Sequence, residues 1–148
     1  MPLAMEMSEP GLRYRMRRAL RQIGEQHRAL GEIHGRLAAA LEAGDRRGAT
    51  DAFVRFRHAL GAHFELEEEV FFPALHGLHP DEGAGLEALG REHGGLLAAL
   101  QRLAPLLEAA PLERFGAELA GFRGALGAHE RREEELVSRL AEPPVDAV

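Results

Sequence analysis

The chain has 148 residues, the length of one domain with a real core, and a net charge of −6 that argues against general nucleic-acid binding. It has no cysteine, which excludes disulfides and thiolate ligation, so any metal must be held by histidine and carboxylate. Ala, Leu, Arg and Glu dominate while Val, Ile and Thr are scarce, which favours helix over sheet.

Residues 1–8 read as a loose arm without the basic-then-apolar pattern of a signal peptide. Ser8 is placed to cap a helix, with Pro10 in its first turn. From there Met16, Leu20, Ile23, His27, Leu30, His34, Leu37 and Leu41 recur in steps of three and four, the stripe of a helix facing a core. The arginines Arg13, Arg15, Arg17, Arg18 and Arg21 form a basic cluster that reads as a solvated face, with an anionic partner as the alternative. Gly44 to Gly48 forms the first turn. A second stripe runs through Phe53, Phe56, Leu60, His63, Glu67, Val70 and Ala74, with a kink expected near Pro73. Gly77 to Asp81 is the next connection. The third stripe is Leu86, Leu89, His93, Leu96, Leu100, Leu103 and Leu107, with a bend expected at Pro105. Ala110-Pro111 separates it from the fourth stripe: Leu119, Phe122, Leu126, His129, Glu133, Leu136 and Leu140. Pro143-Pro144 stops the last helix.

The expectation is therefore an all-α chain, an antiparallel up-down-up-down four-helix bundle over about 9–142 with a frayed tail at 143–148. No run of about 18 apolar residues occurs, so no membrane span is expected. A cytoplasmic location follows by default.

The bundle is predicted to be a duplicated helix hairpin. An offset of 66 residues places Leu20 on Leu86, His27 on His93, Phe56 on Phe122, the block Ala59–His63 on Ala125–His129, and Glu67–Glu69 on Glu133–Glu135. His63 and Glu67 are four residues apart, as are His129 and Glu133, so each pair shares a helix face. All four, with His27 and His93, fall on inward stripes that carry no Lys or Arg. Four buried imidazoles and two buried carboxylates without cationic partners are costly, and a pair of divalent or trivalent cations would supply the missing charge. By ligand type alone, iron, manganese or zinc would suit.

A His followed by His-x-x-x-Glu, repeated on four helices, resembles the hemerythrin-like HHE cation-binding family over roughly residues 16–141. The run His63-Phe64-Glu65-Leu66-Glu67-Glu68-Glu69-Val70-Phe71-Phe72-Pro73 is especially characteristic of it. The resemblance implies a non-haem di-iron centre, with His27, His63, His93 and His129 as terminal ligands and Glu67 and Glu133 as bridges. Two departures matter. Oxygen-carrying members have a His-x-x-x-His pair on the third helix, whose first position here is Leu89. Their fourth-helix carboxylate lies five residues after the histidine, at Glu134 here, whereas the repeat and the stripe favour Glu133. Four His and two Glu are closest to the repair-of-iron-centres branch. A ferritin-like plan is disfavoured, because no Glu has a His three residues later.

These readings imply a centre for dioxygen, peroxide or nitric oxide, in oxidative or nitrosative stress response or iron-centre repair. An oxygen or nitric oxide sensor, or an oxygen-binding hemerythrin, is the alternative. A metal-free or zinc-stabilised helical interaction module, its protein partner unknown, is the rival from another class. Of the other histidines, His34 is expected to be a hydrogen-bonded core residue or else to serve an access channel, a proton relay or an extra metal. His58, His76 and His79 are expected at the surface.

Overall fold

The computed structural model describes residues 8–141, and every regular element among them is helical. Most of the predicted arm (1–7) and the tail with Pro143-Pro144 lie outside the described residues. In chain order the α-helices are α1 (Glu9–Glu42), α2 (Arg46–Leu66), α3 (Phe72–Leu78), α4 (Gly83–Gln101), α5 (Ala104–Ala109) and α6 (Leu112–Ala141). A π-helical turn, Glu67–Phe71, joins α2 to α3, and a short 3-10 turn, Pro80–Glu82, joins α3 to α4.

Local chemistry explains most of these boundaries. The Ser8 hydroxyl accepts a hydrogen bond from the Gly11 amide at 3.3 Å, with Pro10 in the first turn. Gly44 ends the first helix with φ of 69°, a conformation that costs glycine nothing. Asp45 then caps α2 through the Gly48 amide at 2.9 Å, so α2 begins inside the stretch expected to be only a turn. Pro111 sits one residue before α6, and its carbonyl accepts from the Arg114 and Phe115 amides.

The two interior prolines act more strongly than the expected kink and bend. A proline has no N–H and its ring crowds the carbonyl four residues back. For Pro105 that residue is Gln101, where α4 stops before α5 begins. For Pro73 it is Glu69, which lies inside the π turn, and the Phe72 amide bonds instead to the Glu67 carbonyl five residues back. Four helical rods result: α1, α2 with α3, α4 with α5, and α6. α1 packs along α2 and α3, α4 packs along α6, and α2 meets α4.

The rods enclose two hydrophobic clusters. One contains Leu37, Phe53, Phe56, Leu60, Phe64, Leu100 and Phe115; the other contains Met16, Ile23, Phe71, Phe72, Leu75 and Leu89. Burying such side chains contributes about 1.5–3 kcal/mol each. Between the clusters, on three of the four rods, lie His63, Glu67, His93, His129 and Glu133, all buried. The Arg46 guanidinium donates to the carbonyls of Leu107 and Ala110, the latter at 3.0 Å, tying the start of α2 to the end of α5. No described helix is long and apolar enough to cross a membrane.

Candidate metal centre

Five of the six predicted site residues form one buried group. Glu67, His93 and His129 offer ligand atoms within 4.8 Å of one another, and so do His63, Glu67 and Glu133. Glu67 belongs to both triads. Its Oε2 lies 3.3 Å from His63 Nε2, and its Oε1 lies 3.1 Å from His93 Nε2. On α6, His129 Nε2 stands 3.8 Å from Glu133 Oε1.

The outer nitrogens of three imidazoles are fixed by partners. His63 Nδ1–H donates to Gln26 Oε1 at 2.9 Å, His93 Nδ1–H to Glu68 Oε2 at 2.5 Å, and His129 Nδ1–H to Glu92 Oε1 at 2.6 Å. A proton on Nδ1 leaves the Nε2 lone pair of each neutral ring pointing into the cluster. Rings also hold the arrangement: Phe64 stacks on His93 at 3.8 Å with 6° between planes, and meets His129 edge-on at 5.8 Å.

Glu67 Oε1, His93 Nε2 and His129 Nε2 are buried with no hydrogen-bond partner. An imidazole lone pair facing a carboxylate oxygen is repulsive unless a cation or proton stands between them. Two donors each about 2.1 Å from one small cation are themselves about 3 Å apart, the spacing found here. Hard oxygen and borderline nitrogen donors together suit iron, manganese or zinc. The residues therefore fit a cation.

The electrostatics of the metal-free protein agree. Burial pushes the Glu67 carboxyl up, but the adjacent His63, His93 and Glu133 side chains outweigh it and hold the group below the ordinary carboxylate range. Glu133 is pushed up to about 10 by burial, by Glu67 beside it and by the charges of Glu130 and Glu134. Of the two carboxyls, Glu133 is thus the one that favours the protonated form. Burial opposes a charge on His93, yet Glu67 and Glu68 raise its pKa.

His27 departs from expectation. It was placed among the buried imidazoles, but it is exposed. Its ring centroid is 4.6 Å from that of His63, so it stands beside the cluster without closing either triad. The reason is a cavity of about 760 Å³ between α1 and α6, lined by His27, Glu67, Glu130, Glu133 and Glu134 near the cluster. Gly24, Gly31 and Gly127 also line it and contribute no side chain to fill it. Partial desolvation beside the cluster, then the neighbouring His63, lowers the His27 pKa, which favours the neutral ring.

The remaining expectations divide. Glu133 is buried in a triad, whereas Glu134 is exposed on the cavity wall. His34 lines the far part of the same cavity, 6.4 Å edge-on from Phe56, which matches a channel position and not a hydrogen-bonded core one. His58 and His76 are exposed, while His79 bonds the Leu140 carbonyl at 2.8 Å. Gln26, Glu92 and Arg132 were not singled out from the sequence. A signal existed for the first two: each immediately precedes a repeat histidine, His27 or His93.

Neither the curated proteins nor the solved structures include a match to this chain. Residues 18–141 match the Hemerythrin HHE cation binding domain, and that span takes in the whole buried cluster. The chain belongs to the family of that domain.

Proposed function

We propose that this is a non-haem di-iron protein of the antiparallel up-down-up-down bundle type that binds dioxygen, peroxide or nitric oxide. The observation that carries this reading is the sharing of Glu67 between two buried triads. A carboxylate with one oxygen toward His63 and the other toward His93 is disposed to bridge two cations. In this reading Glu67 and Glu133 are the bridges, His93 and His129 serve one cation, and His63 with His27 serves the other. Manganese or zinc in place of iron would use the same donors.

Bound iron would supply open coordination positions and electrons for a small ligand. The protein's own part is separate. Gln26, Glu68 and Glu92 hold the rings in register through Nδ1. Phe64 and the two flanking apolar clusters exclude water from the His93 side. The α1–α6 cavity gives a small ligand a path to His27, Glu67 and Glu133. With two histidines per cation and Leu89 buried at 4% exposure where a further ligand would stand, the centre leaves room for chemistry or for metal release. That supports stress response or iron-centre repair, in the cytoplasm, ahead of reversible oxygen carriage; a gas sensor would use the same centre.

The test is metal analysis with optical spectra on protein purified anaerobically, before and after dioxygen, peroxide and nitric oxide. About two irons per chain and ligand-dependent ferric or nitrosyl bands are expected. Protein that binds no metal, folds unchanged in chelator and becomes more stable as the Glu67→Ala, Glu133→Ala double variant would instead be a helical interaction module.

A further inference from the structure

The two sides of the cluster are not held alike. His93 and His129 each donate Nδ1–H to a carboxylate, Glu68 at 2.5 Å and Glu92 at 2.6 Å. Arg132 grips Glu92 with both arms of its guanidinium, Nε to Oε2 at 3.2 Å and Nη2 to Oε1 at 2.9 Å. His63 donates to a neutral amide, Gln26. His27 makes no side-chain hydrogen bond among the described residues. A carboxylate behind an imidazole raises its basicity and fixes its orientation, and such outer partners typically change metal affinity by about 10–100-fold. Enclosure differs at the ends of the cluster: His63, His93 and His129 are all almost fully buried, whereas His27 and Glu133, on the His63 side, line the α1–α6 cavity.

We propose that the centre has one retaining and one exchanging position, set by the outer partners Glu68, Glu92 and Arg132 on one side and Gln26 on the other. The cation among Glu67, His93 and His129 is retained. The cation among His63, Glu67 and Glu133 leaves first, through the cavity, past Glu130 and Glu134 on its wall. Gln26, Glu92 and Arg132 are positioning residues, since each acts through a histidine or through its partner. The inference rests on the two-cation reading and adds an order of release. It makes the His63 side the place from which a metal ion passes to an acceptor with free nitrogen, sulfur or oxygen ligands.

The experiment uses the full chain loaded anaerobically with ferrous ion and mixed with excess ferrozine, with release followed by absorbance. Two equivalents are expected to leave in two phases separated by about tenfold or more in rate. Gln26→Glu should slow the fast phase by about tenfold and leave the slow one unchanged. Glu92→Gln should speed the slow phase and leave the fast one unchanged. Arg132→Gln, at a half-exposed side chain, should act as Glu92→Gln does and keeps the test open if Glu92→Gln folds poorly. Release of two equivalents in a single phase, or action of Gln26→Glu and Arg132→Gln on the same phase, overturns the inequality and leaves the two-cation reading standing. Loading of one equivalent or none overturns both.

Discussion

In the first half of the chain, His63 sits behind an amide and next to an exposed His27; in the second, His129 sits behind a carboxylate and next to a buried His93. The ligand pattern is duplicated and the surroundings are not. Ligands come from stripe positions, which the repeat reproduces. The residues that orient and enclose them come from the flanks of the stripe, where the copies differ. Gln26 answers to Glu92, Leu66 to Arg132, and Phe64 to Glu130. Phe64 packs among the histidine rings, while Glu130 faces the cavity. Pro73 has Arg139 as its counterpart, so the first copy has a π turn at Glu67–Phe71 and α6 runs unbroken through Glu133. A π turn rotates less per residue than an α turn, which keeps Glu68 close enough to the inner face to reach His93. Glu68 and its counterpart Glu134 are both exposed, but only Glu68 hydrogen-bonds a cluster histidine.

The comparison can be broken most severely at the residue common to both buried triads. Glu67→Ala should weaken cation binding on both sides by more than about 100-fold; Glu133→Ala removes the other bridge and should also weaken both, the His63 side more, because only that triad contains it; titration calorimetry separates the two. Added metal at about 100 times its dissociation constant should stabilise the unmodified protein by about 2.7 kcal/mol, and the thermal midpoint of Glu67→Ala should not move. Next in size is Phe64→Ala, which should cost about 3–5 kcal/mol in denaturant unfolding, since it empties the space between His93 and His129. Its counterpart Glu130→Ala should cost far less.

Pro73→Ala removes the cause of the π turn. The segment should relax toward α-helix, draw Glu68 from His93 and weaken the His93 side by about tenfold, visible as faster release of the slow equivalent. Gly31→Ala should stabilise α1 by up to about 1 kcal/mol, because the added Cβ meets nothing within 4 Å. It also narrows the cavity, so it should slow release from the His63 side only.

The smallest effect concerns pH. Burial, then the nearby Arg123, lowers the His34 pKa from its ordinary 6.5. A histidine with a depressed folded pKa leaves the native state short of protons relative to the unfolded chain. Its stability contribution is therefore complete above the unfolded value and is lost as pH falls below it, toward the folded pKa. His34→Leu should flatten the thermal midpoint between about pH 5 and 7, measured by calorimetry on metal-free protein.

The helical rods were legible because apolar residues three and four apart allow little else, and Ser8, Gly44 and the prolines mark ends by backbone chemistry that needs no partner. The same period put His63, Glu67, His93, His129 and Glu133 on one level. It also brought His27 to that level, 4.6 Å from His63, but did not decide its burial, because a stripe states which face of a helix turns inward and not whether the neighbouring helix fills the space in front of it. The period left Glu68 off the inward stripe, because the pitch of a π turn is not that of the α-helix used to count faces.

Sequence alone therefore determined the helix class, the repeat, the family and five buried cluster residues, since those depend on residue spacing along one chain. The tertiary structure decided what stands behind each ring: Gln26 for His63, Glu68 for His93, and Glu92 with Arg132 for His129. It also decided that α1 and α6 leave a cavity at His27. Those features depend on distances between helices, which hydrophobic periodicity does not encode.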